Sequence, residues 1–155
     1  MSENKPTYTL PLTLTIDEEF LSGLITTAVE GGIGYWSCCS NYKWDYGQDE
    51  AGNDLTGPTT VTVHESVDDI DYDGPTIEGH RGGEYKAEGV TVGPAQMLAA
   101  LAIICDLSKP LEHVSDRWRT SVLAAVRDPE GAGDLDSGDC DNIMQIAVLG
   151  AVVYG

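Results

Sequence analysis

Three carboxylates at alternate positions closed by a glycine, Asp69, Asp71, Asp73 and Gly74, open the D-x-D-x-D-G of a calcium loop. In such a loop alternate acids converge on a hard cation and the glycine permits the turn. The rest of the frame is absent: Pro75 fills the seventh position, His80 the twelfth, and Glu78 falls two residues early. The expectation is an exposed acidic loop without a metal. A second group, Asp134, Asp136, Asp139 and Asp141, has Gly138 at the fifth place and reads as helix caps and a solvated linker. His64, His80 and His113 lie in separate segments with no H-x-x-x-H spacing, and Cys38, Cys39, Cys105 and Cys140 form no C-x-x-C. A hydrolase would need one histidine folded against Cys38, Cys39 or a serine, and no G-x-S-x-G announces it. Gly79, Gly82 and Gly83 flank His80 and Arg81 without the Lys-Ser or Lys-Thr of a phosphate loop. The chain is therefore expected to be no enzyme and to need no cofactor, its cysteines being buried thiols.

The net charge points elsewhere. Twenty-six acids against eight Lys and Arg leave −18 on 155 residues. Residues 45–78 hold ten acids and 128–155 six, with no Lys or Arg in either stretch. A surface so anionic repels nucleic acid and anionic lipid, and either keeps the chain soluble in salt-rich surroundings or attracts a basic protein. Arg117, Arg119 and Arg127, clustered in one predicted helix, are expected to pair with nearby acids. The polar start carries no secretory pattern, and the longest apolar stretch, 143–154, is too short to span a membrane.

At this length one domain with its own core is expected, with acidic loops near 45–58, 67–83 and 128–139. Alternation predicts an edge strand over 8–16, with Pro11 confining it to the edge. Thr15 and Glu18 form a capping box for a helix over 17–30 that buries Phe20, Leu21, Leu24, Ile25, Ala28 and Val29 and ends on a left-handed glycine at 31–32. Strands are predicted within the aromatic-rich 33–46, at 59–67 and at 84–92. Pro94 introduces an apolar helix over 95–107, Pro110 one over 110–127 with Leu111, Val114, Trp118, Val122 and Val126 in its stripe, and Asp139 caps the last, 140–153. The fold class is α+β: a small mixed or antiparallel sheet of three or four strands packed with three or four helices.

Residues 28–36 read A-V-E-G-G-I-G-Y-W and residues 141–155 read D-N-I-M-Q-I-A-V-L-G-A-V-V-Y-G. Both resemble a family of small bacteriophage and mobile-element proteins with A-x-E-G-G-x-x-Y-W near the start and D-x-I-x-Q-x-A-L-F-G near the end. The resemblance covers the two termini and loosely the 95–107 helix; Leu149 stands where the family has an aromatic. It implies a phage or mobile-element setting rather than a mechanism; together with the absence of a secretory pattern this makes the host cytoplasm the expected location. It also makes Glu30, Tyr35, Trp36, Asp141 and Gln145 candidates for one ligand pocket, where a carboxylate and a carboxamide beside flat rings could hold a base or peptide. The competing reading places Tyr35 and Trp36 in the core and Gln145 on a backbone group.

Three functions follow. In the first, the protein is a non-enzymatic inhibitor of a host nucleic-acid-binding or defence protein, of anti-restriction or anti-CRISPR type. Asp68, Asp69, Asp71, Asp73 and Glu78 would stand in for phosphates on a basic partner surface. In the second it sequesters a small ligand such as a nucleotide signal through Tyr35, Trp36 and Gln145 with an arginine. The third is a phage housekeeping or assembly protein, with the apolar last helix as a homo-oligomer contact.

Overall fold

The computed structural model describes residues 5–8, 13–43, 50–53, 57–80, 82–128 and 130–155. The middle of the 8–16 strand, Trp44, Tyr46, Arg81, Pro129 and most of the 45–58 acidic loop lie outside them. Four helices and two antiparallel sheets follow in the order α1 (Glu18–Gly31), β1 (Ser37–Lys43), β2 (Thr60–Glu65), β3 (Thr76–Glu78), β4 (Glu84–Lys86), β5 (Val90–Val92), α2 (Pro94–Cys105), α3 (Asp116–Arg127), α4 (Ser137–Leu149). A single 3-10 turn, Gly131–Asp134, precedes α4. The α+β class is as expected. No described helix is long and apolar enough to cross a membrane.

The main sheet runs β1-β2-β5, and β3-β4 is a separate hairpin joined to it through the Ser66–Tyr85 bridge. In β2, Val61 and Val63 are buried against the helices, while Thr62 and His64 lie on the opposite face, which receives the hairpin. α1, α2 and α4 form the helical layer, and α3 packs outside α2. Leu24, Ile25, Ala28, Trp36, Met97, Ile104, Ile143 and Met144 fill the space between, all at 1% exposure or less. Ile143, Met144 and Ile146 of α4 are buried in this core.

Several local expectations are corrected. Residues 13–17 carry no strand; Leu14 and Ile16 line a groove against α2 instead of pairing, and Tyr8 is 92% exposed. The cap of α1 is Asp17, whose carboxylate accepts from the Phe20 amide at 2.7 Å, and not Thr15. A carboxylate nearer the helix start outcompetes the earlier hydroxyl, and Glu18 enters the first turn. Gly32 ends α1 at φ −126°, so the left-handed cap is absent; glycine is required because a Cβ there would lie 2.7 Å from the Ser137 carbonyl. The 84–92 strand breaks at 87–89 into β4 and β5, which belong to different sheets, and the 67–83 loop contains β3.

α3 begins at Asp116, capped by Ser115, so Leu111 and Val114 precede it. α4 begins at Ser137 with Asp136 as its cap and Asp139 as the third residue of the capping box. Gly150, at φ +80°, ends α4 with the left-handed residue expected at α1, and the chain turns back there. Arg119 pairs less with acids than with backbone: it is 1% exposed and donates to the carbonyls of Ile103, Ile104, Asp106 and Lys109. It thereby serves the orphan carbonyls at the end of α2, where a cation is favoured. The Asp116 carboxylate lies 3.9 Å from it.

Candidate functional site

The segments 28–36 and 141–155 meet. α1 reaches α4 at its glycines, where a Cβ on Gly31 would lie 3.2 Å from that of Ser137, and one on Gly32 would lie 3.2 Å from that of Asp141. This close approach sets Tyr35 and Trp36, just past α1, over the first turns of α4. Asp141 Oδ2 accepts from the Tyr35 hydroxyl at 2.6 Å; Oδ1 accepts from Trp36 Nε1 at 2.8 Å and from Gln145 Nε2 at 3.0 Å. Gln145 is fully buried and is also the anchor of the returning chain end. Its Nε2 donates to the Tyr154 carbonyl at 3.0 Å, and its Oε1 accepts from the Val153 and Tyr154 amides, each at 2.8 Å.

Tyr154 completes the assembly. Its ring stacks on Trp36 with centroids 5.6 Å apart and planes 6° from parallel, and its hydroxyl donates to Glu65 Oε2 at 2.7 Å. Glu65 Oε1 lies 2.8 Å from Lys86 Nζ, and that ammonium lies 5.3 Å from the centre of the Tyr72 ring. A line of contacts therefore runs from α4 through the chain end to the main sheet and the hairpin. Burial, then the Asp141 hydrogen bond and charge, push the Tyr35 hydroxyl up to about 12. Burial and Glu65 push Tyr154 up as well. Both phenols are thus held as neutral donors, as a carboxylate acceptor requires.

Four of the five pocket candidates, Tyr35, Trp36, Asp141 and Gln145, are brought together, and their polar atoms engage one another. Glu30 stands apart, exposed, with the Tyr42 hydroxyl at 3.4 Å. No buried side-chain polar atom among the described residues lacks a partner. Trp36, at 1% exposure, offers no free face to a ligand, because Tyr154 occupies it. The arrangement acts as a clasp that closes α1, α4 and the chain end over the sheet. No sequence pattern singles out Tyr154, although a tyrosine a few residues past a helix-ending glycine is the available signal.

On the other face of the sheet, His64 is 6% exposed, with Ser40 Oγ 2.7 Å from Nε2 and the Lys86 carbonyl 2.9 Å from Nδ1. If Nδ1 carries the proton it donates to that carbonyl, and Nε2 accepts from Ser40. This has the polarity of a nucleophile and its base, but the place of a triad's carboxylate is taken by a backbone carbonyl. The pair ties β1, β2 and β4 together. Beside it lies a cleft of about 360 Å³ lined by Cys38, Cys39, Ser40, Ile77, Glu78 and His80. Burial raises both thiols, Cys39 to about 11, away from the reactive thiolate. Burial raises Cys105 and Cys140 too, the latter to about 12.

The acids proposed to meet a partner surround the hairpin. Asp68, Asp69, Asp71 and Asp73 are exposed on the connection from β2 to β3, and Glu78, Glu84 and Glu88 are exposed on and just after the hairpin strands. Glu78 and Glu84 are cross-strand partners. Like charges directly opposite each other on a sheet are destabilising, so this pair is a cost to the fold. The described cation of the hairpin, Lys86, is engaged by Glu65. Among the described residues no three His, Cys, Asp or Glu side chains converge as an ion site, the D-x-D-x-D-G acids included. Comparison with protein-family models, curated proteins and solved structures gives no match for this chain.

Proposed function

We propose that the protein acts by binding and not by catalysis, and that its hairpin lobe presents carboxylates to a basic surface on a host nucleic-acid-binding or defence protein, in the place DNA phosphates would take. The observation that carries this reading is the Glu78–Glu84 pair. Two carboxylates are held opposite each other at the tip of a small sheet, with Asp68, Asp69, Asp71 and Asp73 on the adjoining connection and no ion-pair partner for any of them among the described residues. The repulsion stored there is relieved when a cationic surface docks, so association gains both long-range steering and local relief. The resemblance to phage and mobile-element proteins supports the same setting, with the host cytoplasm as the place of action.

The test compares the tagged protein with a variant carrying Asn or Gln at Asp68, Asp69, Asp71, Asp73 and Glu78, by capture from host lysate at low and high salt. The expected result is a DNA-binding protein retained by the parent at low salt, released by added salt or duplex DNA, and absent from the variant. Retention of the same proteins by the variant would overturn the proposal.

A further inference from the structure

We propose that the outer face of α2 is a two-fold contact between copies of this chain, in which α2 packs antiparallel on α2 of a second copy. α2 is apolar on both sides. Its inner side buries Met97, Ala100, Leu101 and Ile104, yet Ala95, Leu98, Ala99, Ala102 and Ile103 are exposed on the other, Leu98 at 46% and Ile103 at 48%. A helix that is hydrophobic all round is ordinarily buried all round. No charged residue occurs between Glu88 and Asp106, on a chain of net charge −18. The first charged pair beyond the face, Asp106 and Lys109, neutralises itself at 3.8 Å.

Charge decides the occupant. Along α2 itself a basic partner drawn by the acidic field finds no acid to grip. The charges lining the flanking hollows are of both signs, Asp106 with Arg127 in one and with Lys109 in the other, so two copies, which repel almost everywhere else, can approach here with little acid set against acid. The order of the exposed residues is also self-complementary. Leu98, Ala99, Ala102 and Ile103 read large, small, small, large about a midpoint between Ala100 and Leu101. A two-fold axis through that midpoint places Leu98 against Ile103 of the second copy and Ala99 against Ala102. An isologous contact requires such reciprocity. The small central pair permits close approach of the helices. The ridge is flanked on both sides by hollows that can take the larger side chains: about 460 Å³ where Leu14, Leu98 and Leu123 meet, and about 390 Å³ between Ile103 and Pro110.

The contact is independent of the acidic lobe, and salt separates the two. Screening weakens the lobe's hold on a cationic partner and strengthens association of two anionic copies. The experiment is sedimentation equilibrium of the full chain at low and high salt, with Leu98→Lys and Ile103→Glu alone and mixed. The expected result is a parent dimer favoured by salt and a dissociation constant weaker by about tenfold or more for each variant alone. The mixture should recover a heterodimer, because the ammonium introduced by Leu98→Lys in one chain then faces the carboxylate introduced by Ile103→Glu in the other. Circular dichroism identical to the parent's keeps loss of fold out of the reading. A parent monomeric at both salts, variants that dimerise like the parent, or a mixture that recovers nothing would each overturn the proposal.

Discussion

Replacing Gln145 by Leu tests the clasp at its most connected point. The side chain is fully buried; its two N–H groups donate to Asp141 and to the Tyr154 carbonyl, with the Tyr35 hydroxyl a further 3.3 Å from Nε2, and its oxygen accepts from the Val153 and Tyr154 amides. Leucine fills nearly the same space, so little cavity term arises. Asp141 keeps two donors, Tyr35 and Trp36, and loses one charge-assisted bond worth about 2 kcal/mol. The chain-end amides lose their acceptor at about 1 kcal/mol each, tempered by water at Val153, which is 59% exposed. If the end lifts away, the stack of Tyr154 on Trp36 goes with it, about 1 kcal/mol more. Burial of the leucine returns about 1–2 kcal/mol. The net expectation is a loss of about 3 kcal/mol, which in a domain of this size lowers Tm by about 6–12 °C.

Urea unfolding followed by tryptophan fluorescence checks this, with the midpoint lowered and the slope unchanged. Tyr154→Ala and the double variant form a cycle, in which strongly sub-additive losses are expected because both residues hold the same segment. A loss below about 1 kcal/mol for Gln145→Leu would refute the reasoning, since the lost charge-assisted bond to Asp141 and the two chain-end amides left without their acceptor together cost more.

Arg119→Lys should destabilise by about 2 kcal/mol and Arg119→Ala by about 4, read from the same urea midpoints, because one ammonium cannot reach four carbonyls that the planar guanidinium fork spans. A spectrophotometric alkaline titration should show Tyr35 and Tyr154 ionising above the ordinary tyrosine value near 10. Tyr35 is raised to about 12 and Tyr154 is raised as well, so the stability each contributes is fully present below the unfolded value near 10 and is lost as pH climbs through the folded one. Urea midpoints should therefore hold up to about pH 10 and fall steeply beyond it.

Local periodicity and local chemistry were enough to read several elements directly from the residues. The apolar spacing from Phe20 to Ala28 placed α1 to within a residue or so, the Val-Thr alternation placed β2, and Pro94 opened α2. The α+β class and the anionic surface followed from element type and composition. Relations between residues far apart in the chain had to await the folded arrangement. Tyr35 meets Asp141 across 106 positions, and no spacing rule predicts that their hydrogen bonds close on each other and on Tyr154. Gly31 and Gly32 read as a helix stop, but Gly32 is needed because α4 passes too close for a side chain. The 84–92 stretch has strand propensity throughout, yet it divides because one half finds β3 and the other β2. Arg119 reads as a surface charge until α2 ends beside it. In each case the residue type limits which partners are chemically suitable, and packing of the whole chain selects which one arrives.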